Sequence, residues 1–534
     1  MKVLEKFEQE INQAKKDGRE IIACKCNNEV KSLNYDLKES DVIELIDTSS
    51  KDGHRIYVRG ILYIMAKALN ELYPKALLTV NYQLSSAMFC EIDNMPITDE
   101  MICNIKERMQ EIIDKDLEIR KIIMNKEEAE EFYSKEKTLR GIAQIDNKQK
   151  DSVSLYYCEE YYNYFFGVMP ISTGFIKVFD VVKYKNGFLV RYPSADMPNQ
   201  LKEHKVNKKL LATLEEYDDI HRVLGIETLY KLNKEIKEGR TNNLILLSEA
   251  LHEKKMADIA NDISKRKNVK MVLIAGPSSS GKTTFAKRLG IELRLNGLKP
   301  VTISVDNYFV QRVDTPKDEN GQYDFECLEA IDLDLFNNHI KILLNGGTID
   351  VPTFDFKSGT RVYNGEKMHL ADDEILVIEG IHCLNDKLTS AIPMEQKYKI
   401  YISDLTVLNI DYFNRISTTD TRLLRRIVRD NNFRGYSALH TLKTWDSVNR
   451  GENKNIFPYQ ENCDAMFNSS LIYEISILKK HALPLLKEIT KEEPEYSEAR
   501  RLVEFLKYFE EIDEEYVPRN SLLREFIGGS IFGD

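Results

Sequence analysis

Residues 271–284 read MVLIAGPSSSGKTT. Gly276 and Gly281 bracket four small residues, and Lys282, Thr283 and Thr284 follow. That composition suits an anion. Successive backbone N–H groups can turn inward at phosphate oxygens only where side chains are small or absent. The start of a following helix adds partial positive charge. Ser278, Ser279 and Ser280 then line a phosphate cradle, Lys282 reaches the β- and γ-phosphates, and the Thr283 hydroxyl is placed to ligate Mg²⁺.

A cradle alone does not say which phosphoryl chemistry follows. Asp306, in TISVDNY (302–308), stands at the end of the next apolar run. A carboxylate there can accept a proton from an attacking hydroxyl or hold Mg²⁺ through water. Glu379 ends a second apolar run, ILVIE (375–379), and could share the ion with Thr283; the glycine after it lets a ligand approach closely. In DTRLLRRIVRDNNFRG (420–435), Arg422, Arg426 and Arg429 fall on one helix face, with Arg434 beyond it. Like charges at that spacing repel unless something anionic lies between them, and planar guanidinium forks suit phosphate oxygens. The expectation is a lid closing over ATP.

The elements needed to position these groups are legible. Residues 270–275 read as a buried parallel strand, Thr284 to Leu295 as a helix, and Val301 to Val305 as the next strand. Strand, glycine loop, helix, strand is the context that the motif requires. Upstream, residues 20–48 alternate in short apolar stretches, which suggests a small β-rich unit. Helices are expected from Ile61 to Leu72 and over 98–114, and strands over 152–194. Residues 207–268 look helical, broken at Gly225 and Gly239, and part of them reads as a connector. Leu502, Val503, Phe505, Leu506 and Phe509 make one stripe, taken as core.

The chain has 534 residues, so two to four domains are expected. It is 42% hydrophobic and 30% charged, with a net charge of −11, which argues against generic coating of nucleic acid by charge alone. Its N-terminus lacks the apolar core of a signal peptide, and nowhere do 18 apolar residues run together, so a membrane span is not expected. Eight cysteines are scattered. Cys24 and Cys26 share a strand face without a second ligand pair, so they read as reduced thiols in a cytoplasmic protein rather than a zinc site.

GPSSSGKTT, ISVDNY, YDFECLEAID (323–332), VPTFDFKSGTR (351–361), ILVIEGIH (375–382) and TDTRLLRRIVRD (419–430) stand in the order and spacing of the uridine kinase and phosphoribulokinase family. The resemblance covers about residues 269–475. It implies ATP- or GTP-dependent phosphorylation of a nucleoside 5′-hydroxyl, with Asp306 as catalytic base beside Lys282. It further implies a nucleotide held by Gly276, Ser278, Ser279, Ser280, Gly281, Lys282, Thr283, Thr284, Arg426, Arg429 and Arg434, and Mg²⁺ held by Thr283, Asp306 and Glu379. Tyr308, Phe325, Glu326, Phe354 and Arg361 would line the acceptor pocket. Phe354 and Gly359 stand where uridine kinases carry the tyrosine and histidine that read the pyrimidine, and Tyr436 replaces the last lid arginine. Uridine is thus no better favoured than another nucleoside.

Residues 20–50 resemble a TGS domain, and 51–225 resemble the editing-type domain of threonyl-tRNA synthetase. Arg59, Tyr63, Phe165 and Met169 stand where that domain places its two pairs of catalytic polar residues, and His54 is out of register. These four cannot together hold a divalent metal or relay protons for ester hydrolysis, so a retained scaffold is expected, its role open between a small ligand, RNA and stabilisation. The expected fold is multidomain α+β and α/β: a β-grasp-like unit (1–50), an α+β domain (51–225), a helical connector (226–268), a P-loop kinase with a parallel sheet (269–480) and a helical extension (481–534). The kinase part is expected to keep some activity when 1–225 are removed. The alternatives are a kinase acting on a sugar phosphate or a tRNA end, and a tRNA-associated NTP switch. A homo-oligomer is compatible with the sequence.

Overall fold

The computed structural model describes residues 1–135, 152–203, 207–317, 321, 323–355 and 358–533. In the amino-terminal part, β1 (Ile21–Cys26), β2 (Glu29–Lys31) and β3 (Ile43–Asp47) form an antiparallel sheet in the order β2-β1-β3. Its β1 buries Ile22 and Ala23 toward the next unit and Cys24 toward the amino-terminal segment. Burial pushes the Cys24 thiol up to about 12, so it stays protonated.

Helix α1 (Lys51–Leu72) follows, capped by Ser50, whose hydroxyl accepts the Gly53 N–H at 3.1 Å. It begins ten residues before the expected Ile61. Its first turns are polar because their charges meet partners from the far end of the chain: Arg55 lies 2.7 Å from Glu498 and 3.7 Å from Asp420. Helix α2 (Asp99–Asp114) packs Ile102, Ile105, Met109 and Ile112 into the same core as α1. Strands β4 (Leu78–Gln83), β5 (Ala87–Ile92), β9 (Asp180–Tyr184) and β10 (Gly187–Arg191) make an antiparallel sheet, β4-β5-β10-β9. Between them in sequence, β6 (Arg120–Asn125), β7 (Ser152–Cys158) and β8 (Tyr161–Asn163) make a second, β6-β7-β8.

Helices α3 (Lys208–Leu224), α4 (Leu229–Lys237) and α5 (Thr241–Lys265) are separated at Gly225 and Gly239, both at positive φ. They are not a free tether. Ile226, Leu229, Leu232, Leu244 and Ile245 sit in one core with residues of α7 (Thr418–Arg429), α8 (Ala438–Asn455), α9 (Glu474–Lys487) and α10 (Tyr496–Leu506). Leu502, Val503, Phe505, Leu506 and Phe509 belong to that core. The segment taken as a connector and the carboxy-terminal extension are thus parts of one packed body.

The carboxy-terminal sheet is parallel throughout. Strands β11 (Met271–Ala275), β12 (Lys299–Ser304), β15 (Glu374–Glu379), β16 (Lys397–Ser403) and β17 (Ala465–Asn468) stand in the order β12-β15-β11-β16-β17. Every residue of β11 is buried, as a strand covered on both faces must be. Helix α6 (Lys282–Leu295) covers one face, and the hairpin β13 (Thr348–Asp355) with β14 (Thr360–His369) stands beside the sheet.

The two halves share a core. Tyr82, Phe89, Leu214 and Tyr217 pack with Leu405 and Val407. Backbone bonds cross as well: the Val80 N–H donates to the Tyr412 carbonyl at 2.8 Å, and Asn409 Nδ2 donates to the Val80 carbonyl at 3.0 Å. Deleting residues 1–225 uncovers Leu405 and Val407 and orphans these groups. The truncated chain is therefore expected to aggregate, read by light scattering; a monodisperse, active 226–534 fragment would show the halves to be separable.

Candidate active site

The carboxy-terminal edge of the parallel sheet gathers three groups. β11 runs straight into the glycine loop. A Cβ on Gly276 would drive into the Ile402 carbonyl, so only glycine fits there. Ser279 and Gly281 both take positive φ, +60° and +85°, the alternation that points successive N–H groups into a concavity. Ser279 and Ser280 are buried, and among the described residues their hydroxyls have no hydrogen-bond partner. Buried hydroxyls left open beside a helix start fit a phosphate group. Lys282 Nζ folds back over the turn, donating to the carbonyls of Gly276 and Pro277 at 3.0 and 3.2 Å. Thr283 is exposed at the first turn of α6, and Thr284 is buried.

β12 ends at Ser304, and Asp306 follows in a single 3₁₀ turn, Val305–Tyr308. Ser304 is in register with Glu379, the last residue of β15, and its hydroxyl donates to Glu379 Oε1 at 2.7 Å. A Cβ on Gly380 would stand 2.6 Å from Val305 Cβ, so glycine lets the turn bearing Asp306 close against β15. Burial raises the Asp306 pKa, opposed by Lys282, Arg434 and Arg429. Burial and then Asp306 raise Glu379 to about 7, opposed by Lys282. These mutual fields place Lys282, Asp306 and Glu379 in one cleft. Among the described residues no three His, Cys, Asp or Glu side chains are placed to hold a metal. A cation bound at Thr283, Asp306 and Glu379 would keep water or phosphate oxygens in its shell, as Mg²⁺ does.

The arginine helix α7 divides into two roles. Arg422 is buried; its Nε donates to the Ser278 carbonyl at 3.1 Å, and its guanidinium pairs with buried Glu452. Glu452 in turn accepts the Ser278 N–H at 2.8 Å. Both backbone groups of Ser278 are thus held by one ion pair. Arg425, fully buried, pairs with Glu474 at 2.6 Å and donates to the carbonyl of Ser279 at 3.3 Å. Arg426 donates to the Ser278 hydroxyl at 2.8 Å and to Asp430 at 3.2 Å. Arg422, expected on the same face as Arg426 and Arg429, is therefore a fastener of the turn. Arg429 and Arg434 flank Asp430 at 3.8 and 3.3 Å. Burial and then Arg434 weaken the Arg429 cation, whose pKa falls to about 9, and its Nε is buried without a partner. An anion would satisfy both.

Of the acceptor-side residues, Glu326 faces the cleft: burial and then Glu452 raise its carboxyl to about 7, against Arg426 and Lys282. Phe325 is 37% exposed, its ring 6.3 Å from Phe309, and Phe354 lies 5.5 Å from the same ring. Tyr308 is core instead. It is fully buried, edge-on to Phe336, with its hydroxyl on His339 Nδ1 at 3.1 Å. Arg361 is held by Asp332 at 2.9 and 3.0 Å. Tyr436 lies outside the arginine cluster, stacked on His440 with centroids 4.4 Å apart.

A family model described as the phosphoribulokinase / uridine kinase family matches residues 271–476. The chain is 30% identical to the uridine kinase of Bacillus subtilis over 184 residues, spanning 34% of this chain and 78% of that one. The chain belongs to the phosphoribulokinase / uridine kinase family. Residues 271–476 are its P-loop kinase domain. It is also 30% identical over 214 residues to a probable cytoplasmic threonine–tRNA ligase of Enterocytozoon bieneusi, and 26% over 230 residues to the threonine–tRNA ligase of Desulforamulus reducens. The matches cover 39% and 41% of this chain, and 33% and 36% of those enzymes, about a third of their length. A solved structure described as a possible uridine kinase from Bacillus stearothermophilus overlays 40% of this chain and 98% of its own, at 16% identity and a TM-score of 0.26.

In the ligase-like half, the structure brings the four replaced positions together as packing. Arg59 donates to the Val168 carbonyl. Tyr63 donates to the carbonyls of Tyr156 and Tyr161 at 3.2 Å each and meets Phe165 edge-on, 5.7 Å between centroids. Met169 is buried in the same core.

Two measurements check the cleft of this kinase. The Glu326 pKa is raised on folding, so the stability tied to its neutral form is full below about pH 4.5 and lost as pH rises through about 7. Glu326→Gln is expected to raise stability by about 1 kcal/mol at pH 8 and not at pH 4, in urea melts. Glu452→Gln leaves Arg422 buried without its counter-charge; a loss of about 3 kcal/mol is expected, with a kcat fall of about 100-fold from the loosened turn.

Proposed function

We propose that the protein transfers the terminal phosphoryl group of ATP or GTP to the 5′-hydroxyl of a nucleoside. The observation that carries this is the meeting of Asp306, Lys282 and Glu379 beside an anion-cradling turn. The open amides and the hydroxyls of Ser279 and Ser280 would hold phosphate oxygens. Lys282, Arg426, Arg429 and Arg434 neutralise the charge that gathers as the P–O bond to the leaving diphosphate breaks. Asp306 accepts the proton of the acceptor hydroxyl as its oxygen bonds to phosphorus. Mg²⁺ fits Thr283, Asp306 and Glu379 and, when bound, supplies charge neutralisation on the phosphates. The rest is positioning and fixed electrostatics, as phosphoryl transfer asks little covalent help.

The cleft favours a neutral acceptor. Glu326 and Asp306 stand on the acceptor side, so a sugar phosphate would meet two carboxyl groups. A nucleoside brings hydroxyls that can donate to Glu326 and a base that can lie against Phe325; Phe354, expected beside it, is buried in the core with Tyr308.

Coupled release of the nucleoside diphosphate over a panel of nucleosides, with and without tRNA, tests this. Asp306→Asn is expected to lower kcat by about 10²–10⁴-fold while nucleotide binding by calorimetry is kept. Near-normal turnover in that variant, or hydrolysis indifferent to every acceptor, refutes the assignment.

A further inference from the structure

Residues 522–532 run beside the cradle. Leu522 is fully buried beside Phe285 and Ala286 of α6, at the helix that starts the phosphate turn. Leu523 and Phe526 are fully buried on the other side, in the core of α7 and α8. Phe526 stands 5.1 Å from the Arg425 guanidinium, and its carbonyl accepts from Asn432 Nδ2 at 3.1 Å. Lys287 Nζ donates to the Phe532 carbonyl at 2.9 Å. The segment therefore bridges the first turns of α6 and the arginine helix.

Between these anchors, Glu525 projects into the site. Its Oε2 accepts the Thr284 N–H at 3.0 Å. That amide is one of the four at the start of α6 with no partner inside the helix, the donors that a phosphate takes at such a helix start. The Glu525 charge also reaches Glu379 and Arg429, two groups of the same cleft. A carboxylate on that amide takes the place that a phosphate oxygen would take there. The two compete for one donor, and they repel each other.

We propose that Glu525 is a built-in competitor of the nucleoside triphosphate: its carboxylate occupies the Thr284 amide until phosphate displaces it, so the carboxy-terminal segment restrains nucleotide binding. This rests on residues 276–284 being the nucleotide cradle. Displacement needs only a side-chain rotation, since Leu522, Leu523 and Phe526 hold the backbone from either side. Gly528 and Gly529, both at positive φ, follow as a joint that lets the final residues give way.

The test is the Kd of a non-hydrolysable ATP analogue with Mg²⁺, by calorimetry, for the full-length protein and for Glu525→Gln and Glu525→Ala. Binding about tenfold tighter in both variants is expected. Lys282→Ala separates the two ideas, because it removes the cradle's own charge. If the analogue binds wild type and Glu525 variants alike, or binds the variants more weakly, the competitor is overturned and the cradle stands. If none of them binds it, the cradle falls and the competitor with it. A melting curve for each variant shows that the fold is kept, and Gln, which preserves shape without charge, decides the matter should Ala unfold.

Discussion

The phosphate turn depends on one buried ion pair. Small residues give a loop the freedom to curl around an anion, and the same freedom lets it collapse. Arg422 and Glu452 remove that choice: one takes the Ser278 carbonyl, the other its amide, and each neutralises the other away from water. A pair so buried adds little net stability. Its value is geometric, because neither partner can leave without stranding the other's charge. Arg425 repeats the device one residue along, on Ser279, with Glu474 as its counter-charge. The helix expected as a lid is anchored through its first two turns, and Arg429 and Arg434, beyond the anchors, are the ones with charge to spare for a ligand.

That division explains what could be read from the amino acids alone. Gly276, Lys282, Asp306 and Glu379 were legible because each is announced locally: an apolar run ends, and a small or charged residue follows at the sheet edge where ligands bind. The arginines were legible as a group and not as individuals. Arg422 and Arg426 have the same chemistry four residues apart, and what separates them is Glu452, thirty residues downstream in a stretch with no motif. Tyr308 failed for the same reason. An aromatic residue two positions from the candidate carboxylate Asp306 suits a pocket wall, and His339 and Phe336, from another helix, show it to be core.

The amino-terminal half follows the same logic at larger scale. The start of α1, ahead of the expected Ile61, carries charges that are answered by Glu498 and Asp420, more than 360 residues away in sequence. Arg59, Tyr63, Phe165 and Met169 close over themselves with backbone carbonyls and ring edges, so this part of the half is solid packing. Arg55, Glu498, Arg501 and Asp420 then tie that packing to the foot of α7.

The shared core of Tyr82, Phe89, Leu405 and Val407 has a consequence for the protein's birth on the ribosome. Translation adds on the order of 5–20 residues per second. The strand bearing Val80 emerges first, and the Tyr412 carbonyl that receives its amide is more than 300 residues behind it. For tens of seconds the nascent chain carries an unfinished, sticky sheet with its mate still unmade. A chaperone that shields that sheet would therefore matter more to the yield of this protein than any improvement in the kinase half.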